Sequence, residues 1–413
     1  MPLLLSCALV TSIDFALTHS APLFRRMIAV TVILLLIPNA APGSAPDSTS
    51  LYQLHCASCH GVDRLGLTGP ALLPENLHRL RKKEAVQVIA EGRPATQMPP
   101  FAEHLDTRQT EALVDYIYSP LETLPEWGME QILASRVIHA YETPTADEPL
   151  FEADIDNLFT VVELGDHHAT LLNGDTFEPI HRFPTRFALH GGPKYSQGGR
   201  FIYFSSRDGW ISKYDIFNLR YVAEIRVGIN SRNLAVSHDG KYVMVANYLP
   251  HNLVILDADD LTPLKVIDAA DLNGNSSRVS AVYTADPRRS FIVALKDIEE
   301  VWEISYRNPP PKGFGEWVHD YRDDSGEGTA NKLFPIRRIR VKGYLDDFFI
   351  NQDYSQIAGT SRDGTGQIVD LDLGRAVTSL ELPGMPHLSS GISWPYKETT
   401  VLATPNIKAG KVT

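Results

Sequence analysis

Two periodicities divide this chain. From about residue 150 onward, short apolar, β-rich runs are separated by Gly, Asn, Asp and Pro, the pattern of strands punctuated by tight turns. A loose unit recurs: strand, turn, strand ending near an Asp, turn, strand. Its copies cover 159–164 with 170–180, 201–204 with 211–225, 242–246 with 253–267, and 356–360 with 367–382. Asp175, Asp215 and Asp257 recur within it at intervals of about 40 residues, the period of a four-stranded propeller blade. A β-sandwich is the competing architecture, but its strands do not repeat at that interval. Upstream the period is helical. Asp106 or Thr107 caps a segment that places Leu113, Tyr116 and Ile117 on one face.

The beginning of the chain has a third pattern. Arg25-Arg26-Met27 precedes an apolar run over 28–37, and small residues follow from Ala40 to Ala45. That order is a secretory signal peptide, and the run is short for a membrane span, so removal is expected rather than anchoring. Residues 1–24 sit oddly ahead of it and are read as the product of a misplaced start codon. Cys7 follows Leu-Leu-Ser, a faint lipidation pattern that lacks the preceding basic residues. The expected fold class is α + all-β multidomain. Residues 1–46 form the N-terminal extension and signal peptide, 47–122 a small helical domain, 123–150 a linker and 151–413 a β-propeller. A propeller ring must close to bury its last edge strand. About five or six units are visible, so the ring is expected to be incomplete at its C-terminal end.

Composition narrows the function classes. The chain has 413 residues, a formal net charge of −12 and a hydrophobic fraction of 43%, which calls for two or more domains and excludes a disordered chain. The acidic balance argues against a nucleic-acid partner and is compatible with a basic redox partner.

The most specific chemistry lies in Cys56-Ala57-Ser58-Cys59-His60. C-x-x-C-H is the attachment site of a c-type haem. Two thiols form thioethers to the porphyrin vinyl groups, and the adjacent imidazole supplies an axial ligand. A zinc half-site or redox dithiol leaves His60 unexplained, and Cys7 is the only other cysteine. Met98, in the Pro-rich loop Gln97-Met98-Pro99-Pro100-Phe101, is the expected sixth ligand; a His/Met pair raises the reduction potential. His78 and His104 are weaker candidates. Residues 47–122 therefore read as a cytochrome c domain. Haem c attachment follows export, which agrees with the signal peptide and predicts a periplasmic protein with no stable membrane span after processing.

A c-type haem domain joined to a propeller, with Arg186-Phe187-Ala188-Leu189-His190, then Gly199-Arg200-Phe201-Ile202-Tyr203-Phe204, then the run from Ala223 to Arg232, resembles the cytochrome cd1 family. The resemblance implies an eight-bladed propeller that holds haem d1 non-covalently on its axis. It implies that His190 is the proximal ligand of the d1 iron and that Arg207 and Arg232 grip the carboxylates of the macrocycle, with Lys194 a weaker member of that set. Bidentate guanidinium–carboxylate contacts suit a planar anionic ligand.

The resemblance also separates two branches. Nitrite reductases carry two distal histidines; here Asp346 occupies the position of the first and His387 that of the second. That departure favours the dihydro-haem d1 dehydrogenases, which complete the cofactor in its biosynthesis. The implied reaction is oxidation of dihydro-haem d1 to haem d1, propionate to acrylate, with His387 as proton acceptor or iron ligand and electrons leaving through haem c. Implied partners are the haem d1 precursor, a nitrite reductase or other haem d1 maturation proteins, and an external redox partner. Two alternatives stay open: a cd1-type nitrite reductase, and a non-catalytic haem d1 carrier or electron-transfer protein.

Overall fold

The computed structural model describes residues 47–123, 125–314 and 333–413. Cys7 and the expected signal peptide lie outside the described residues. The N-terminal part is helical: α1 (Ser48–His55), α2 (Ala57–His60), α3 (Pro74–Leu77), α4 (Lys82–Glu91) and α5 (Thr107–Ile117). The Asp106 carboxylate accepts the Gln109 amide at 2.7 Å while the Gln109 side chain returns to the Asp106 amide at 2.9 Å, a reciprocal cap that fixes where α5 begins. Its predicted face is confirmed in part: Leu113, Val114 and Ile117 are buried with Tyr52, Leu77 and Ile89, and Tyr116 packs half-buried against them.

The remainder is mostly β, in several separate antiparallel sheets. After α6 (Met129–Ala134) and β1 (Val137–Ile138), a three-stranded sheet contains β2 (Leu158–Glu163), β3 (His168–Asn173) and β4 (Pro179–Pro184). The next contains β5 (Lys194–Tyr195), β6 (Phe201–Ser205), β7 (Trp210–Asp215) and β8 (Arg220–Arg226), with β1 added beyond β8. Then come β9 (Asn230–Val236), β10 (Tyr242–Leu249), β11 (Asn252–Asp257) and β12 (Pro263–Asp268). They are followed by β13 (Val279–Ala285), β14 (Ser290–Leu295), β15 (Glu300–Ser305) and β16 (Ile336–Arg340). A further sheet has β17 (Asp347–Ile350), β18 (Gln356–Thr360), β19 (Thr365–Asp370) and β20 (Arg375–Glu381), and β21 (Ile392–Tyr396) pairs with β22 (Thr399–Ala403).

The core shows why the sheets succeed one another. One cluster joins Ile225 and Ala223 of β8 to Leu234 and Val245 of the next sheet. Another joins Met244 and Ile255 to Val282, Phe291 and Trp302, and a third joins Ile292 and Val301 to Phe348 and Val369. Each sheet thus buries its faces against its neighbours, the packing logic of repeat architectures, and the arrangement is consistent with a propeller. Two of the repeated aspartates close turns: Asp215 accepts the Asn218 amide at 3.3 Å, and Asp257 accepts the Asp259 amide at 2.8 Å.

One stretch departs from expectation. Residues 123–150, read as a linker, carry α6 and β1. Ile132 is fully buried against the second sheet, and β1 pairs Val137 with Glu224 and Ile138 with Ala223. Two strand residues are too few to show a periodicity, yet they cover the outer edge of β8.

Candidate functional site: a c-type haem motif and a cationic basin

The first site is built by α1 and α2. Cys56 lies between them, and Cys59 and His60 are one turn further on. His60 is 8% exposed, and its Nδ1 lies 2.8 Å from the Pro70 carbonyl oxygen. A carbonyl only accepts, so Nδ1 carries the proton and Nε2 keeps its lone pair for a metal. Burial holds the imidazole below its usual pKa, which keeps it in the neutral, ligating form. Gly69 makes this geometry possible, because a Cβ there would lie 2.8 Å from His60 Cε1.

Met98 is half-buried against the same helical core, and its carbonyl accepts the Arg93 amide at 3.0 Å. At Gly92, with φ +73°, a Cβ would stand 2.7 Å from that carbonyl oxygen, so only glycine lets the loop close. Two unpaired thiols, an oriented imidazole and a thioether are the donor set a covalent haem requires. Of the weaker candidates, His78 Nδ1 bonds the Glu75 carbonyl at 2.7 Å, and His104 stacks with His55 at 6.3 Å.

The second site gathers residues from the first strands of successive sheets, which approach one another: β5 beside β9, β9 beside β13, and β13 beside β17. His190, just ahead of β5, is anchored by its amide to the Ser205 carbonyl at 2.8 Å. Its Nδ1 lies 2.6 Å from the Arg232 carbonyl oxygen, so here too Nε2 is left free. Burial, reinforced by Arg207, Arg232 and His387, pushes the His190 pKa down to about 4 against the effect of that carbonyl. A cavity of about 270 Å³ opens beside it, lined in part by Leu189, His190, Pro193 and Phe204.

Beside His190, Arg207 and Arg232 pair with no carboxylate among the described residues, whereas Arg278 is held by Asp297 at 2.6 and 2.8 Å. Burial and then Arg207 lower Arg232 to about 10, and its Nε is buried with no partner. Arg207 is lowered by burial and by Arg79. Tyr248 is the hub of the cluster: its ring centroid lies 4.4 Å from Arg232 Cζ, 5.4 Å from Arg278 Cζ and 5.9 Å from Lys296 Nζ. Arg207 and Arg232, uncompensated beside a buried histidine, are costly without an anion and complement the carboxylates of an anionic ligand. Lys194 does not join it; its ammonium is 2.7 Å from the Gly191 carbonyl.

Two adjacent carboxylates complete the basin. Asp346 pairs with Lys296 and, at 2.9 Å, with Arg362 Nε. Asp347 accepts the Tyr283 hydroxyl at 3.2 Å and the Ser389 hydroxyl at 2.7 Å, and its carboxylate lies 3.4 Å from His387 Nδ1. Ser390 Oγ stands 2.9 Å from the same nitrogen. His387, Arg207 and Arg232 all act electrostatically on His190, so the structure brings together the four residues singled out for this site. It adds Tyr248, Arg278, Lys296, Arg362 and Asp347, which sequence reasoning missed. Arg278 stands immediately before β13 much as Arg232 stands in β9, and that shared register was the available signal.

Comparison with known proteins agrees with the two halves. Residues 153–413 match the family described as cytochrome D1 heme domain, and residues 43–117 match cytochrome C oxidase, cbb3-type, subunit III. The chain is similar to the dihydro-heme d1 dehydrogenase of Pseudomonas aeruginosa, with 51% identity over 388 residues, 94% of this chain and 74% of that protein. It is 25% identical to the nitrite reductase of Stutzerimonas stutzeri over 407 residues, 91% of this chain and 69% of that one. Among solved structures it is similar to the dihydro-heme d1 dehydrogenase NirN in complex with DHE, with a TM-score of 0.75 and 51% identity, covering 87% of this chain and 73% of that chain.

Proposed function

Because this chain belongs to the cytochrome d1 haem domain family, we propose that it oxidises dihydro-haem d1 to haem d1, turning a propionate arm into an acrylate. The observation that carries this reading is the basin itself: a neutral, oriented His190 beside Arg207 and Arg232, neither of which pairs with a carboxylate among the described residues. Two C–H bonds break and one C=C bond forms, so two protons and two electrons leave the substrate. His190 is the axial ligand that fixes the substrate iron. Arg207 and Arg232 hold its carboxylates, which orients the reacting arm. His387, steadied by Asp347 and Ser390, takes a proton from that arm.

Cys56 and Cys59, with His60 and Met98, would hold haem c, which would supply one-electron transfer. An external one-electron acceptor is needed twice for each turnover. The sheets over 151–413 form part of an eight-bladed propeller that follows a cytochrome c domain over 47–122. The protein works in the periplasm beside the nitrite reductase and the other haem d1 maturation proteins. No helix among the described residues is long and apolar enough to cross a membrane.

Nitrite reduction is the weaker reading. Asp346 stands where those enzymes are expected to carry a first distal histidine, and its carboxylate is bound by Lys296 and Arg362. The test is anaerobic incubation of the full-length holo-protein with dihydro-haem d1, then extraction and mass analysis of the pigment. Product lighter by two hydrogens, with reduction of haem c, is expected; unchanged mass after tight binding leaves a carrier. H387A is expected to lose turnover at least a hundredfold, about the contribution of a general base, while pigment binding persists. Loss of binding instead gives His387 an iron-ligand or structural role.

A further inference from the structure

The cationic basin is not confined to the sheets. Arg79 comes from the cytochrome part of the chain, two residues after α3, and its side chain is exposed. Packing at that junction fixes where it stands. Leu73 and Ala71, just ahead of α3, are buried with Ile229 and lie against Leu249. Leu249 directly follows Tyr248, and Ile229 immediately precedes β9, which carries Arg232. Glu75 of α3 acts on His251, at the turn after β10. The segment carrying Arg79 therefore rests on the rim of the basin.

Arg79 makes no hydrogen bond or ion pair with any described residue. What it faces is positive charge: it lies within electrostatic reach of Arg207, Arg232 and Lys296. Apposed cations repel when nothing lies between them, and an anion placed between them adds attractions that outweigh that repulsion. An exposed arginine held over a cationic basin without a carboxylate of its own is placed to close on an anionic ligand.

We propose that Arg79 is a substrate-positioning residue supplied by the cytochrome domain, and that it closes the basin by binding a carboxylate of the macrocycle opposite Arg207 and Arg232. This rests on the function proposed above and extends it. Occupancy of the substrate site and docking of the cytochrome domain become linked, because the same guanidinium opposes docking over an empty basin and favours it over a filled one.

The experiment is an anaerobic optical titration of full-length holo-protein with dihydro-haem d1, comparing wild type, Arg79→Gln and Arg79→Lys. The expected result for Arg79→Gln is a dissociation constant about tenfold higher, with the melting temperature of ligand-free protein unchanged or raised. Arg79→Lys recovers most of the affinity, and added salt narrows the gap between wild type and Arg79→Gln. Equal affinity for wild type and Arg79→Gln overturns the proposal. So does equal loss in both variants with a lowered melting temperature, which marks a structural role. Wild type that binds the pigment but leaves its mass unchanged sinks the dehydrogenase reading, and the affinity comparison still decides Arg79.

Discussion

His60 and His190 are held in the same way although they belong to unrelated folds. Each gives its Nδ1 proton to a backbone carbonyl, at 2.8 Å for Pro70 and 2.6 Å for Arg232, and each is kept neutral by burial. A carbonyl partner leaves the imidazole a neutral donor and adds no negative charge beside the metal. Met98→Leu is expected to lower the midpoint potential of haem c, since loss of the thioether removes the His/Met pair that raises it. A redox titration of the holo-protein checks this, and an unchanged potential excludes Met98 as ligand. The motif residues were legible because C-x-x-C-H is contiguous. Arg79, Tyr248 and Lys296 were not, because they meet only when strands far apart in sequence converge.

At the scale of elements, Glu224 shows how a sheet edge is secured. It lies on β8, 6% exposed, and receives Arg186 Nε and Nη2 at 2.8 Å each, Ser212 Oγ at 2.8 Å and His139 Nε2 at 3.2 Å. Burial alone would raise its carboxyl; the Arg186 guanidinium, with Ser212 and His139, outweighs that and holds it below the usual range. A carboxyl with a lowered folded pKa stabilises above its unfolded pKa, and that stability is lost as pH falls through the folded value. Glu224→Gln is expected to cost about 3 kcal/mol at neutral pH and to flatten the acid limb of the stability curve. Chemical denaturation at neutral pH and near pH 4 checks both, and a steep acid limb retained in the variant refutes the assignment.

The repeat itself was legible where Asp closes a turn, at Asp215 and Asp257. It was lost in the sheet of β13 to β16, where the connection from Ser305 to Ile336 breaks the period of about 40 residues. The first strands escaped notice for another reason. In β9, Asn-Ser-Arg-Asn precedes Leu-Ala-Val, so the half of the strand that serves the basin carries polar side chains and no apolar alternation.

At the scale of the molecule, the junction between the helical and β parts rests on a small apolar cluster. Ala71, Leu73 and Ile229 are each no more than 1% exposed, with Leu65, Leu121, Trp127 and Leu249 around them. Each part also has a core of its own, so damage at the junction should separate the parts before it unfolds either. Ile229→Asp places an unpaired charge in that cluster and is expected to undock the cytochrome domain. Reduction of haem c after mixing with dihydro-haem d1 should then slow sharply, since electron transfer no longer takes place within a docked pair.

The same variant tests how Arg79 works. If Arg79 reaches the substrate only when the domain is docked, Ile229→Asp loses Arg79's contribution too, and its affinity for the pigment falls by about the same factor as Arg79→Gln. The double variant should then bind no more weakly than Ile229→Asp alone. Titrations of the four proteins form a double-mutant cycle. A double variant in which the two losses simply add would place Arg79's action outside the docked state and break the link between substrate binding and domain closure.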